Sequence, residues 1–368
     1  VTPLAQELAR LIRDEGPLSV SRYMALCLGH PSHGYYMKQD PFGAAGDFTT
    51  APEISQVFGE LIGLWAATVW RMMGEPGAFR LVEFGPGRGT LMQDMLRAGR
   101  VLPGFREALS VHMVETSPVL RERQKETLAA SGMAPVWHER IGDALDGPAI
   151  IVANELLDAL PLDQFVLTPG GWRERLVGLD GEDRLVFGLS AEPETEIARA
   201  APQGSVLEQP LAALDMVATV ARHVAADGGA GLFIDYGTAQ TGFGDSLQAM
   251  RRHGFVDPLA DPGDADLTVH VDFARMAQAG LSAGAAVHGP VTQRDFLLAL
   301  GHEQRVAALS RRATPEQART LATGASRLVE AGNATDMGQL FKALALADPR
   351  LPLLPGFDLH RLPEQAAP

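Results

Sequence analysis

A doubly wound, Rossmann-like α/β sheet is the fold class this sequence predicts. Three observations predict it. Short apolar runs alternate with helix-length amphipathic segments between residues 80 and 153. The first run ends in a glycine turn, Gly85-Pro86-Gly87-Arg88-Gly89, that opens directly into Thr90-Leu91. Acids then close the later runs, at Glu115, Asn154-Glu155 and Asp235, where open α/β sheets bind ligands at their carboxyl edge.

Taken in order, residues 3–15 and 19–29 predict helices, and residues 53–73 a longer one with Ile54, Val57, Phe58, Leu61, Ile62, Trp65 and Val69 at helical spacing. Thr50 is positioned to cap that helix, with Pro52 and Glu53 in its first turn. Strands are expected at 80–84, 109–115, 135–138 and 149–153, with helices at 90–99 and 117–130 between them. Residues 163–191 break the rhythm: Gln164–Thr168, Trp172–Leu179 and Arg184–Leu189, split by Pro169-Gly170-Gly171 and Asp180-Gly181, predict an inserted antiparallel meander. Helix 211–226 and strand Gly231–Tyr236 resume the α/β pattern. A polar loop at 238–265, helix 272–279 and strand 285–288 follow, and the tail from 292 to about 347 reads as mostly helical. The expected organisation is an N-terminal helical lid (1–75), a core (76–300) with insertions at 160–207 and 238–265, and a C-terminal helical region (301–368).

Composition narrows the function classes. With 46% hydrophobic and 21% charged residues the chain is ordinary for a soluble globular protein. Its net charge of -14 opposes a nucleic-acid footprint and suits a cationic partner such as an Arg-bearing segment. The lone Cys27, set among Met24, Ala25, Leu26 and Leu28, cannot form an intrachain disulfide and is expected in the core. No Cys/His spacing suggests a metal site, no run is long enough for a membrane span, and no signal-peptide pattern opens the chain. A cytoplasmic location is expected.

The glycine turn lets the backbone approach a ligand closely. Its Gly85, Gly87, Gly89 spacing, with Thr90 following, is shorter than a dinucleotide fingerprint. It fits S-adenosyl-L-methionine, which carries no phosphate. Glu115 at the end of the second strand is placed to accept ribose hydroxyls, and Asp143 after the third strand to meet the adenine amino group. Alone, Glu115 is more commonly a solvated strand-end acid, and Asp143 is as readily a turn acid. Glu83 and Asn154 complete the expected donor-binding set.

On the acceptor side, Asn154-Glu155-Leu156-Leu157-Asp158 follows the fourth apolar strand. Carboxylates there suit a guanidinium, which stays protonated and is held by bidentate pairing. The bland alternative is acids set favourably at a helix N-terminus. Glu155, Asp158 and Asp235 are the expected catalytic acids. Asp47 and Glu53 lie in a loop able to close over the donor, and His253, His270 and Asp272 rank below them, with 268–273 also readable as a strand followed by a helix cap.

The chain resembles the MidA family of class I S-adenosylmethionine-dependent methyltransferases. The matching blocks are His30-Pro31 with Gly34-Tyr35-Tyr36, Gly46-Asp47-Phe48-Thr49-Thr50-Ala51-Pro52-Glu53-Ile54-Ser55-Gln56, Glu83 through Leu91, Val114-Glu115-Thr116-Ser117-Pro118, Asn154-Glu155 through Pro161, Ile234-Asp235-Tyr236-Gly237, Asp266-Leu267-Thr268 through Phe273, Thr292-Gln293, and Met337-Gly338 with Leu340-Phe341-Lys342. Ala51 stands where Ser is usual, and Leu157 where Phe is usual. The resemblance implies a protein arginine methyltransferase acting in respiratory complex I assembly. Its implied acceptor is an arginine of the 49-kDa-type subunit, its product symmetric dimethylarginine, and its eukaryotic relatives are mitochondrial. A protein partner and a possible homodimer are expected, with no nucleic acid and no membrane insertion. A small-molecule O- or N-methyltransferase and a non-catalytic, cofactor-binding assembly chaperone are the rival readings.

Overall fold

The computed structural model describes residues 2–38, 50–252 and 254–358. Its contacts divide into two compact units, one formed by 1–48, 158–215 and 241–270, the other by 49–157, 216–240 and 271–368.

The larger unit is built on a seven-strand sheet: β1 (Phe79–Phe84), β2 (Leu109–Val114), β3 (Val136–His138), β4 (Ala149–Asn154), β5 (Gly229–Thr238), β6 (Ala286–Thr292) and β7 (Phe341–Ala347). Their spatial order is 3-2-1-4-5-7-6. Strands β3, β2, β1, β4 and β5 run parallel, and β7 runs antiparallel between β5 and β6. A short strand, Val271–Asp272, extends the edge beside the end of β5. The parallel strands are mostly apolar because helices cover both faces; every residue of β4 is buried. Helix Gln56–Met72 lays Leu61, Ile62 and Trp65 into a core shared with Leu81, Ile150, Leu232 and Ala343. The chain order reverses between β1 and β4, so their carboxyl ends form a topological switch point.

The smaller unit carries the meander. Leu18–Ser19, Gly171–Leu179, Asp163–Thr168 and Val206–Gln209 pair in that order, with Leu185–Leu189 on Gly171–Leu179. Helices Pro3–Glu15 and Val20–Gly29 bury Leu4, Leu8, Tyr23 and Cys27 with Leu162, Val177 and Leu267. Burial pushes the Cys27 thiol up to about 12.

Four expectations are corrected. The helix expected at 53–73 is two helices, Ala51–Ile54 and Gln56–Met72, broken at an extended Ser55 (φ -158°) whose Oγ accepts the Val57 N–H at 3.3 Å. Thr50 makes no side-chain cap bond; Ser55 is the cap of the long helix. The tail is not helical to 347: Phe341–Ala347 is the strand β7. The loop 238–265 also contains strands: Gln248–Arg251 pairs with Gly254–Val256 on one side and with Asp266–Thr268 on the other.

Candidate active site

The glycine turn needs conformations that only glycine adopts cheaply: Gly85, Gly87 and Gly89 have φ of 59°, 50° and 81°. Gly85 donates to the Val114 carbonyl at 3.0 Å, which ties the turn to the end of β2. The glycines place bare backbone at the carboxyl end of β1, and Thr90 begins helix Thr90–Ala98. The Thr90 hydroxyl donates to Glu53 Oε1, and Arg88 lies 3.7 Å from Glu53 Oε2. Segment 50–55 therefore grips the turn from outside.

Two carboxyl groups lie buried beside it. Glu83, near the end of β1, is 3% exposed. Burial chiefly, and then the Glu115 charge, pushes its carboxyl well above the usual range, against one backbone hydrogen bond from Met92. Its Oε2 has no hydrogen-bond partner among the described residues. Glu115, just past β2, is also raised by burial, although the Ser117 N–H (2.8 Å, to Oε1) and the Gln124 amide (3.1 Å, to Oε2) oppose the shift. Arg121 Nε holds the Glu115 carbonyl at 2.7 Å. Asp143 sits in the first turn of the short helix Ile141–Ala144, exposed.

At the switch point, Asn154 ends β4. Its Nδ2 donates to Glu155 Oε1 at 2.9 Å, and its buried Oδ1 has no hydrogen-bond partner among the described residues. Glu155 adopts φ 51°, a left-handed conformation that costs a non-glycine residue about 1–2 kcal/mol. Its Oε1 also accepts the Ala51 N–H at 2.9 Å. The strain is held from β5: Glu155 N–H donates to the Ile234 carbonyl at 2.8 Å, and Leu156 N–H to Asp235 Oδ2 at 3.1 Å. Asp235 is fully buried, and its Oδ1 accepts the Tyr236 N–H at 2.8 Å.

The carboxyl edge of the sheet thus gathers Glu83, Gly85, Gly87, Gly89, Thr90, Glu115, Asn154, Glu155 and Asp235 in one unit. Asp158 belongs to the other unit. There it is buried, its carbonyl accepts the Val269 N–H at 2.9 Å, and its charge adds to burial and Asp266 in raising the Tyr36 hydroxyl. Of the lower-ranked candidates, Asp272 caps helix Phe273–Ser282 and accepts the Arg275 N–H at 3.0 Å. His270 is held below its ordinary value by burial. Asp47 and His253, with Gly46 to Thr49, lie outside the described residues. Sequence reasoning missed Gln124, fully buried against Glu115 and the glycine turn; a single glutamine in a polar helix carries no motif.

The arrangement fits a cationic, hydroxyl-bearing ligand. Two buried acceptors, Glu83 Oε2 and Asn154 Oδ1, lack donors on neighbouring strands, and leaving them so costs about 1–3 kcal/mol each. The methionyl ammonium of S-adenosyl-L-methionine supplies such donors. Among the described residues, no group of three or more His, Cys, Asp or Glu is placed to hold a metal ion, and no helix is long and apolar enough to cross a membrane.

Residues 61–291 match the protein family described as "Putative S-adenosyl-L-methionine-dependent methyltransferase". The chain is 38% identical to the Drosophila melanogaster protein arginine methyltransferase NDUFAF7 homolog, mitochondrial, over 93% of this chain and 84% of that one. It is 36% identical to the human protein arginine methyltransferase NDUFAF7, mitochondrial, over 94% and 83%. A Burkholderia thailandensis protein solved with S-adenosyl-homocysteine bound superposes with a TM-score of 0.81 at 31% identity, over 96% of this chain and 94% of that chain.

Proposed function

The chain belongs to the MidA family of S-adenosyl-L-methionine-dependent methyltransferases, and from that premise we propose that it N-methylates an arginine of a protein substrate. The observation that carries this reading is Glu155: a carboxylate at the switch point, held in a strained backbone conformation and aimed by the Ala51 and Asn154 N–H groups. A guanidinium has a pKa above about 12, so its nitrogen must be oriented and its charge balanced before it can attack. A fixed carboxylate does both. The fruit-fly and human relatives carry the name protein arginine methyltransferase, which supports the same acceptor.

When bound, the cofactor supplies an electrophilic sulfonium methyl group. The chain's residues hold the two partners. Glu83 and Asn154 take the methionyl end through their open oxygens, Gly85, Gly87 and Gly89 let the backbone approach, Glu115 accepts from the ribose, and Asp143 serves the adenine end. Thr90 secures Glu53 against the turn. Glu155 takes the guanidinium, and Asp235 fixes the Glu155 turn. Catalysis is then mainly positioning, a term worth up to about 7–11 kcal/mol. The finer reading is symmetric dimethylation of an arginine in the 49-kDa-type subunit of respiratory complex I during its assembly.

The test is incubation of the purified chain and that subunit with labelled donor, read by mass spectrometry. Glu155→Gln keeps an oxygen able to accept both N–H groups, removes the charge and turns the second oxygen into an amide donor. Donor binding is expected to stay within about twofold, and transfer to fall about a hundredfold, as for lost charge-assisted hydrogen bonds. Full transfer by Glu155→Gln would sink the role of that residue. A labelled metabolite with no labelled protein would overturn the protein acceptor.

A further inference from the structure

Gln124 is the most fully engaged polar side chain near the donor site that no motif announces. It lies on helix Pro118–Leu128 and is completely buried. Its Nε2 donates to the Gly87 carbonyl at 2.8 Å and to Glu115 Oε2 at 3.1 Å. Its Oε1 accepts the Trp137 indole N–H at 2.8 Å. An indole nitrogen only donates, so this contact fixes which end of the amide is oxygen, and both amide hydrogens are left for Gly87 and Glu115. The glycine turn rests on the same side chain: a Cβ at Gly89 would lie 3.5 Å from Gln124 Cα and Cγ. One amide thus joins three separate pieces of chain: the turn after β1, the acid after β2, and β3.

We propose that Gln124 is a positioning residue for the methyl donor, holding the Glu115 carboxylate and the Gly87 peptide in the orientation that the donor's ribose and backbone contacts require, with Trp137 locking the amide. The inference rests on the reading of Glu115 as the ribose acceptor. No other described side chain bonds both groups, and the amide is held from both ends: both its hydrogens are donated and its oxygen accepts the indole N–H. A carboxylate in its place has no hydrogen to offer Gly87 or Glu115 and faces Glu115 with a like charge. Two carboxyls that close share a proton and titrate as a pair.

The experiment is calorimetric titration of the full chain with S-adenosyl-homocysteine from about pH 5 to pH 8. Gln124→Glu is expected to weaken binding about tenfold or more at pH 8, a magnitude set by one or two lost hydrogen bonds and the added repulsion. The ratio of its Kd to that of the unaltered chain is expected to fall toward one at low pH, where the protonated carboxyl regains a donor. A purely structural lesion has no reason to heal on protonation at this one site. Trp137→Phe, which frees the amide from its lock, is expected to weaken binding about threefold. A Kd ratio for Gln124→Glu that is near one throughout, or flat with pH, overturns the proposal. If Gln124→Glu loses cooperative unfolding, Gln124→Met and Trp137→Phe decide, and unchanged affinity in either is the negative result. Glu115→Ala separates the two layers. If it binds as the unaltered chain does, the ribose reading fails. If it binds weakly while the Gln124 variants bind normally, only the present inference fails.

Discussion

Gly85→Ala tests the glycine turn in quantities the structure supplies. Gly85 sits at φ 59°, so a methyl group there first incurs the left-handed penalty of about 1–2 kcal/mol. The new Cβ would also stand 2.8 Å from Leu156 Cδ1, where carbon atoms normally approach to about 3.5–4.0 Å. The obstructing atom is the end of a half-buried side chain, so Leu156 can yield by leaving its rotamer, at about 0.5–1.5 kcal/mol. Its backbone cannot follow, because its N–H is bonded to Asp235. The expected loss is therefore about 1.5–3.5 kcal/mol. A double-mutant cycle divides it: Leu156→Ala in the Gly85→Ala background should return the steric part, about 0.5–1.5 kcal/mol, and leave the backbone part. Urea unfolding of the four proteins gives the free energies, and S-adenosyl-homocysteine affinity is expected to fall in Gly85→Ala with or without Leu156→Ala. A neutral Gly85→Ala, or a cycle with no coupling, would refute the reasoning.

The remaining predictions concern protons. Glu83 has a raised folded-state value, so its contribution to stability is present below the unfolded value, about 4.3, and is lost as pH rises toward the folded one. An ammonium-bearing ligand favours the ionised carboxyl, so binding of S-adenosyl-homocysteine should release a proton and tighten with pH. Binding enthalpies that do not change between buffers of different ionisation heat would contradict this, and Glu83→Gln should abolish the dependence. Asp94 is 2.7 Å from Arg97, yet burial outweighs that pair and pushes its carboxyl up to about 7. The sign is the same, so the unaltered chain should lose stability between about pH 4 and pH 7. Asp94→Asn should flatten that slope in denaturant titrations run across the range; an unchanged slope would show that Asp94 is not its source.

The parallel half of the sheet and the donor side were legible because each strand carries its own signal. An apolar run ending at Phe84, Val114 or Asn154, followed by a turn or an acid, is local information. Strand β7 was not legible. Phe341–Ala347 is rich in alanine and leucine, which favour helix in isolation. It sits between β5 and β6 with nearly every residue buried, so it shows no period-two alternation. Its identity as a strand depends on two partners more than fifty residues apart in the chain. The same holds for Ser55, whose extended backbone breaks a helix that periodicity runs straight through. On the site, Glu115 and Glu155 were singled out by position. Gln124 was not, since its importance lies in three partners that meet only in the fold.

The acids Asp235 and Glu155 at the sheet edge are held in different ways, and this argues for different roles. Asp235 spends both oxygens on backbone N–H groups, of Leu156 and Tyr236. A carboxylate so engaged stabilises a turn more readily than it takes up a substrate proton or a guanidinium. The turn it stabilises is the one that carries Glu155 at positive φ. Strain of this kind persists only where the surroundings over-determine it, and here β5 does so twice, through the Ile234 carbonyl and Asp235. Glu155 takes the bonds from Ala51 and Asn154 on Oε1, an arrangement that aims the group. The acid to expect at the acceptor is therefore Glu155, with Asp235 acting through it. Asp235→Asn should then lower transfer by disturbing the Leu156 amide and Glu155 together, so that adding Asp235→Asn to Glu155→Gln costs little more than Glu155→Gln alone. Fully additive losses in transfer rate would mean that Asp235 has a separate part in the reaction.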